Sequence, residues 1–259
     1  HHALVFSADP QDSDLLDTLA RDEGGTFECG AGNPAPHGVE LVAAWAPGAL
    51  PMQTPPGTGM NIRAGGRLIV QIHYHPTLAG PEEDGTSLQI MWEETNPGLP
   101  AIMALVGNEG HAPELQWGPA DTTDEPEFRI PADATDHVET IVYDPLPTEG
   151  LGDLAVWAVG THMHWSGTDM RISTTSQNGG PEKCLVQTPN WDFNWQRWYD
   201  YDGVLNELPV LKDGDRLELR CTYDNSLGNP KVREALDEQG LDATRDVVLG
   251  DATLDEMCL

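Results

Sequence analysis

Arg67-Leu68-Ile69-Val70-Gln71-Ile72-His73-Tyr74-His75 is the stretch that sets the fold class. Leu68, Val70, Ile72 and Tyr74 alternate with Ile69, Gln71, His73 and His75, the period of two that belongs to a strand with unlike faces. Gln71, His73 and His75 therefore share one face and the more regular apolar set the other, and Pro76 ends the run. Working outward, runs of the same kind occupy residues 1–6, 39–45, 87–93, 128–130, 137–143, 154–164, 169–173, 208–211 and 216–223. Pro209 marks the eighth of these as an edge strand. Stretch 9–38 is rich in Asp, Gly and Pro and reads as a long loop, and residues 231–239 are the one expected helix. Trp191, Phe193 and Trp195 share a face if extended, most simply a core face. Many short strands between long loops predict an all-β chain of sandwiches or jelly rolls.

A length of 259 residues suits two modest domains or one large β domain. Residues 94–100 read as an interdomain turn, which places the domains at 1–96 and 97–259. Thirteen basic residues stand against 43 acidic ones, a formal net charge of -30. Such a surface repels nucleic acid and anionic membranes, and no apolar run reaches the roughly 18 residues that span a bilayer. Cys29, Cys184, Cys221 and Cys258 are even in number, far apart and without a Cys-x-x-Cys pair. They favour two disulfides in an oxidising compartment over a zinc ribbon or thioredoxin motif.

Six of the nine histidines fall in three clusters: His1-His2, His73-Tyr74-His75 and His162-Met163-His164. Two histidines one residue apart on a strand point to one side and make a paired imidazole surface. Each cluster has a plainer reading, as a solvated or hydrogen-bonded histidine pair, or as the remnant of a purification tag for His1-His2. Zinc uses the same imidazoles but completes its sites with His, Cys or carboxylate. Copper is favoured only if a thioether joins them, and Met257, in Asp255-Glu256-Met257-Cys258, is the candidate. A lone methionine is ordinarily core filler.

Taken in order, His1-His2-Ala3-Leu4-Val5-Phe6, Gln71-Ile72-His73-Tyr74-His75, Thr161-His162-Met163-His164 and Cys221-Thr222-Tyr223 with Asp255-Glu256-Met257-Cys258 form a set. The set resembles the copper type II, ascorbate-dependent monooxygenases, the family of peptidylglycine α-hydroxylating monooxygenase and dopamine β-monooxygenase. The resemblance implies two tandem β-sandwich domains of jelly-roll type and two coppers per chain, facing each other across a solvent-filled gap. His1, His2 and His73 resemble the ligands of an electron-transfer copper, with Gln71 near it. His162, His164 and Met257 resemble those of an oxygen-activating copper, and His75 has no ligand role.

The implied activity is ascorbate-dependent hydroxylation of a C–H bond of a small organic substrate by O2, in a secreted or periplasmic protein. The resemblance also implies a Cys221–Cys258 disulfide that pins Met257, and leaves Cys29 with Cys184. The peptide-amidating branch carries an arginine at the position of Gly160, so a glycine-extended peptide is not the expected substrate. The acidic surface favours neutral or cationic molecules instead. Family members have strands before and after the segment seen here, so a longer intact protein is expected. Two rival readings are a histidine-brace oxygenase built on His1 and acting on polysaccharide, and a secreted copper-binding module without catalysis.

Overall fold

The computed structural model describes residues 2–22, 24, 26–27, 35–74, 83–95, 98–110, 113–148, 150–250 and 254–259. The fold is all-β, mostly antiparallel, with two short α-helices among the described residues. It divides into two compact units, His1–Ala104 and Leu105–Leu259. None of its helices is long and apolar enough to cross a membrane, among the described residues.

In the first unit, β1 (His2–Ala8) is followed by α1 (Ser13–Asp22), β2 (Val39–Trp45), β3 (Thr58–Met60), β4 (Arg67–His73) and β5 (Leu99–Ala101). β1 is the centre of an antiparallel sheet ordered β2-β1-β4. β5 runs parallel to β3, from Thr58↔Leu99 to Met60↔Ala101, so the first unit extends past the expected 96/97 junction. Residues 87–93, expected as a strand, pair with nothing and form none. With Ile90 45%, Met91 91% and Trp92 84% exposed, the segment has no face to bury.

The expected loop 9–38 contains α1, which the sequence reading missed. Asp9 accepts a hydrogen bond from the Gln11 amide at 2.9 Å, and Pro10 opens the 3-10 turn that leads into the helix. Helix propensity is weak in Ser13–Asp22, and tertiary contacts make up the difference. Leu16 packs with Ala8 and Ala35, and both nitrogens of the Arg67 fork reach Asp17 at 2.7 Å. Ile69, on the histidine face of β4, joins this cluster, while Leu68 and Val70 on the other face stay exposed.

The second unit adds β6 (Arg129–Ile130), β7 (His137–Tyr143), β8 (Leu154–Ala155), β9 (Ala158–Gly160), β10 (Gly167–Thr175), β11 (Lys183–Thr188), β12 (Trp198–Asp200), β13 (Val210–Leu211), β14 (Arg216–Tyr223), α2 (Pro230–Gln239) and β15 (Val247–Val248). Its main sheet is antiparallel in the order β11-β10-β14-β7. Leu217, Leu219, Cys221 and Tyr223 alternate inward from β14, opposite Tyr143, Ile141, Glu139 and His137 of β7. Each fully buried aliphatic side chain among them contributes about 1.5–3 kcal/mol. α2 starts where Asn229 caps the Lys231 amide and stops at the left-handed Gly240. Val232, Ala235 and Leu236 are its buried stripe.

Residues 154–164, expected as one strand, are broken. β8 pairs with β13 and β9 pairs with β12, so the run changes partner at Val156 and Trp157, and Thr161–His164 lies outside any ladder. β13 pairs only with β8, as an edge strand broken by Pro209 should. Trp191, Phe193 and Trp195 do not share a face either. The Asp192 carboxylate accepts from the Asn194 amide and the Trp195 amide returns to the Asp192 carbonyl, which turns the chain and sends Phe193 inward and Trp195 outward. One disulfide, Cys221–Cys258, closes a separation of 37 residues. Cys184 is an exposed free thiol on β11, against the expected partnership with Cys29, which lies outside the described residues.

A pH-dependent contact holds the base of the first unit. The His37 ring meets the buried Asp12 carboxylate at 2.6 Å, and that hydrogen bond, then the Asp12 charge, raises the His37 pKa above its ordinary 6.5. A raised histidine stabilises the fold fully below its unfolded pKa and ceases to as pH climbs through the folded one. In urea denaturation, the stability gap between the wild type and His37→Gln should therefore shrink as pH rises from below 6.5 through the alkaline side.

Candidate functional site

His162, His164 and the Met257 backbone come together where two irregular segments meet. His162 and Leu259 exchange both backbone hydrogen bonds, at 2.7 and 3.1 Å, which is one step of an antiparallel ladder. Glu256, one residue before Met257, is buried at 1% exposure and acts as the connector. One carboxylate oxygen accepts from the amides of His164 (2.7 Å) and Met257 (3.1 Å), and the other from the amide (2.8 Å) and hydroxyl (3.0 Å) of Ser166. Burial pushes the Glu256 pKa up, while the hydrogen bonds from the His164, Met257 and Ser166 amides pull against it.

Met257 is fixed at both ends of its peptide units. Its carbonyl accepts from the buried Tyr223 hydroxyl at 2.7 Å. The next residue, Cys258, is bonded to Cys221, and Asn108 both donates to its carbonyl (2.9 Å) and accepts from its amide (3.1 Å). Gly107 makes this approach possible, because a Cβ there would fall 2.1 Å from the Cys258 carbonyl oxygen. The Met257 side chain is 7% exposed.

Hydrogen bonding also decides the tautomer of each histidine. His164 Nδ1 faces the Asp255 carbonyl at 2.9 Å, and a carbonyl only accepts, so this nitrogen carries the proton. His162 Nδ1 faces the Gln196 Oε1 at 2.7 Å. The Gln196 amide is oriented by its own nitrogen, which donates to the Phe193 carbonyl at 2.6 Å, so Nδ1 of His162 is again the donor. In its neutral form each ring thus holds its lone pair on Nε2, and both Nε2 atoms are buried. An imidazole whose other nitrogen donates to a protein oxygen is the form that ligates metals. The ring centroids are 5.4 Å apart at 89°, a span that one ion held at about 2 Å from each nitrogen can bridge.

Aromatic rings line this pair. Trp191 stands edge-on to His162 with centroids 6.3 Å apart, and donates through Nε1 to the His164 carbonyl at 3.0 Å. Phe193 stands edge-on to His164 at 6.0 Å and stacks on Trp165 at 4.5 Å. Trp198 lies over Gly160, where a Cβ would come within 2.6 Å of its ring. That indole takes the space above Gly160, so an arginine has no room there.

In the first unit His2 and His73 are direct cross-strand partners, with ring centroids 4.1 Å apart and a 40° tilt. Gln71, opposite Leu4, lies on the same face of β4 as His73. His1 and His75 lie outside the described residues. Among the described residues no group of three His, Cys, Asp or Glu side chains is placed to hold a metal. Any third ligand to either pair would therefore be of another type, such as the Met257 thioether, or lie outside those residues, as His1 does.

Sequence reasoning gave no role to Glu256, Gln196, Tyr223 or Trp198. A charged residue directly before the proposed ligand Met257 was a usable signal for Glu256, and the aromatic density of 191–198 was one for the walls. In urea denaturation Glu256→Gln should cost about 2–4 kcal/mol, since an amide nitrogen turned toward these donors leaves buried N–H groups unmatched. Gly160→Ala should cost about 1–3 kcal/mol by overpacking against Trp198, and combined with Trp198→Leu its cost should fall clearly below the sum of the two.

No protein-family model matches the sequence, and comparison with curated proteins gives no match.

Proposed function

We propose that this chain is a copper-dependent monooxygenase that uses O2 and ascorbate to hydroxylate a C–H bond of a small organic substrate. The observation that carries this reading is the Glu256 carboxylate, which ties the amides of His164, Ser166 and Met257 to one buried group. A core methionine needs no such anchoring, whereas a weak thioether ligand does. The two-domain jelly-roll organisation and a location outside the cytoplasm go with the same reading. A disulfide and an all-β architecture are compatible with both.

In this scheme His162 and His164 present Nε2 and Met257 its sulfur at one copper. His2 and His73, with His1, hold another beside Gln71. Bound copper supplies one-electron redox chemistry and oxygen activation. Gln196 and the Asp255 carbonyl keep the protons on Nδ1, which fixes ring orientation and raises the basicity of Nε2. Trp191 and Phe193 keep bulk water from the histidine pair.

Copper titration with metal analysis of the intact protein should give two tightly bound ions per chain, and one in His162→Ala. Met257→Ile should lower ascorbate-dependent product formation by at least about tenfold while the fold persists. A stoichiometry of one in the wild type would instead support a brace at the amino terminus. Full hydroxylation by Met257→Ile would remove Met257 from the site.

A further inference from the structure

The segment that walls the histidine pair also borders a groove. Gln187, Asn190, Trp191, Asp192, Trp195 and Tyr199 surround a volume of about 270 Å3. Trp195 is 51% exposed and Tyr199 40%, so broad aromatic surface faces solvent there. Trp191 is common to the groove and to the pair, through its edge-on contact with His162. A molecule resting on Trp191 is thus one ring away from the candidate centre.

Arg197 is not itself part of the groove lining but stacks on Trp195, which is, with its guanidinium carbon 3.7 Å from the centre of that ring. Arg63, Arg67, Arg129, Arg171, Arg216 and Arg245 each meet a carboxylate. Among the described residues no carboxylate pairs with Arg197, nor with Arg21, Arg220 or Arg233, although the chain has 43 acidic side chains. Its Nε is buried without a hydrogen-bond partner among those residues, a condition that destabilises a donor left without an acceptor. Asp192, the acidic residue of the groove, is already engaged by Lys231 at 3.2 Å and by the Asn194 amide.

Stacking on an indole uses the face of a guanidinium and leaves its edge of N–H donors available to a planar acceptor. We propose that the groove binds a small molecule combining a flat ring with a carboxylate, the ring against Trp195 and Trp191 and the carboxylate on Arg197. The charge of the whole chain does not oppose this, because its field is screened beyond about 8 Å at physiological salt. The groove therefore takes an anion that the surface as a whole would not suggest. As a statement about substrate choice this rests on the oxygenase reading; as a statement about binding it stands apart, and it is tested without copper.

Isothermal titration of the intact, copper-free protein with benzoate, benzamide and benzylamine separates the possibilities. Benzoate should bind more tightly than both analogues. Arg197→Gln should weaken benzoate by at least about tenfold and leave benzamide unchanged, Arg197→Lys should keep part of the preference, and Trp195→Ala should weaken benzoate and benzamide alike. The proposal is overturned if benzamide or benzylamine matches benzoate in the wild type, or if none of the three binds. It is equally overturned if Arg197→Gln binds benzoate as the wild type does, or weakens all three together with a lowered urea midpoint, the mark of a purely structural arginine.

Discussion

One buried carboxylate, Glu256, holds together the candidate site of the second unit. Taking such a group out of water is costly unless donors replace the lost solvation. Here four hydrogen bonds do so, and they come from three residues on two separate segments. The turn that carries His162 and His164 has no ladder of its own beyond the reciprocal pair with Leu259. Without Glu256 the amides of His164 and Ser166 would be buried donors lacking acceptors. The carboxylate thus supplies the site with the backbone order that a sheet supplies elsewhere.

The surrounding packing follows from a second local constraint, the turn at Asp192. By reversing the chain it places Trp191 and Phe193 against the two histidines and directs Gln196 back to His162. Phe193 in turn stacks on Trp165, and this pair closes on Ala235 of α2. A small residue at 235 lets the helix approach the stacked rings. The order of the histidine rings therefore runs outward, through aromatic contacts, to the helix that caps this end of the unit.

Sequence periodicity was most informative where a strand has two unlike environments. β7 and β14 begin and end where alternation predicts, because each has a sheet neighbour and a buried face; the bounds of β2 also match the expected run, set there by its ladder with β1. It failed where polar side chains, not burial, set the conformation. α1 depends on the Asp9 cap before it and on Arg67, 50 residues beyond its partner Asp17, so its own ten residues carry little signal. The 191–195 run has strand-like alternation, but the Asp192 side chain bends it. At the candidate site the histidines and Met257 stood out by residue type. The groups that orient them did not, because a carbonyl such as that of Asp255 has no sequence signature and Glu256 resembles any of 43 acidic residues.

The two histidine pairs are built by different physics, and that difference bears on how each can vary. His2 and His73 meet because two strands are in register. A slip of one residue would turn His73 to the opposite face, which leaves this pair little tolerance for backbone change. His162 and His164 come from one short irregular segment and depend on Gln196, Asp255 and Glu256 for tautomer and orientation. Side-chain acceptors can be altered without rebuilding a sheet. The second pair is accordingly the one whose electronic character can be adjusted by substitution, while the first is fixed by topology. An asymmetry between the pairs is therefore already present in the way the chain holds them.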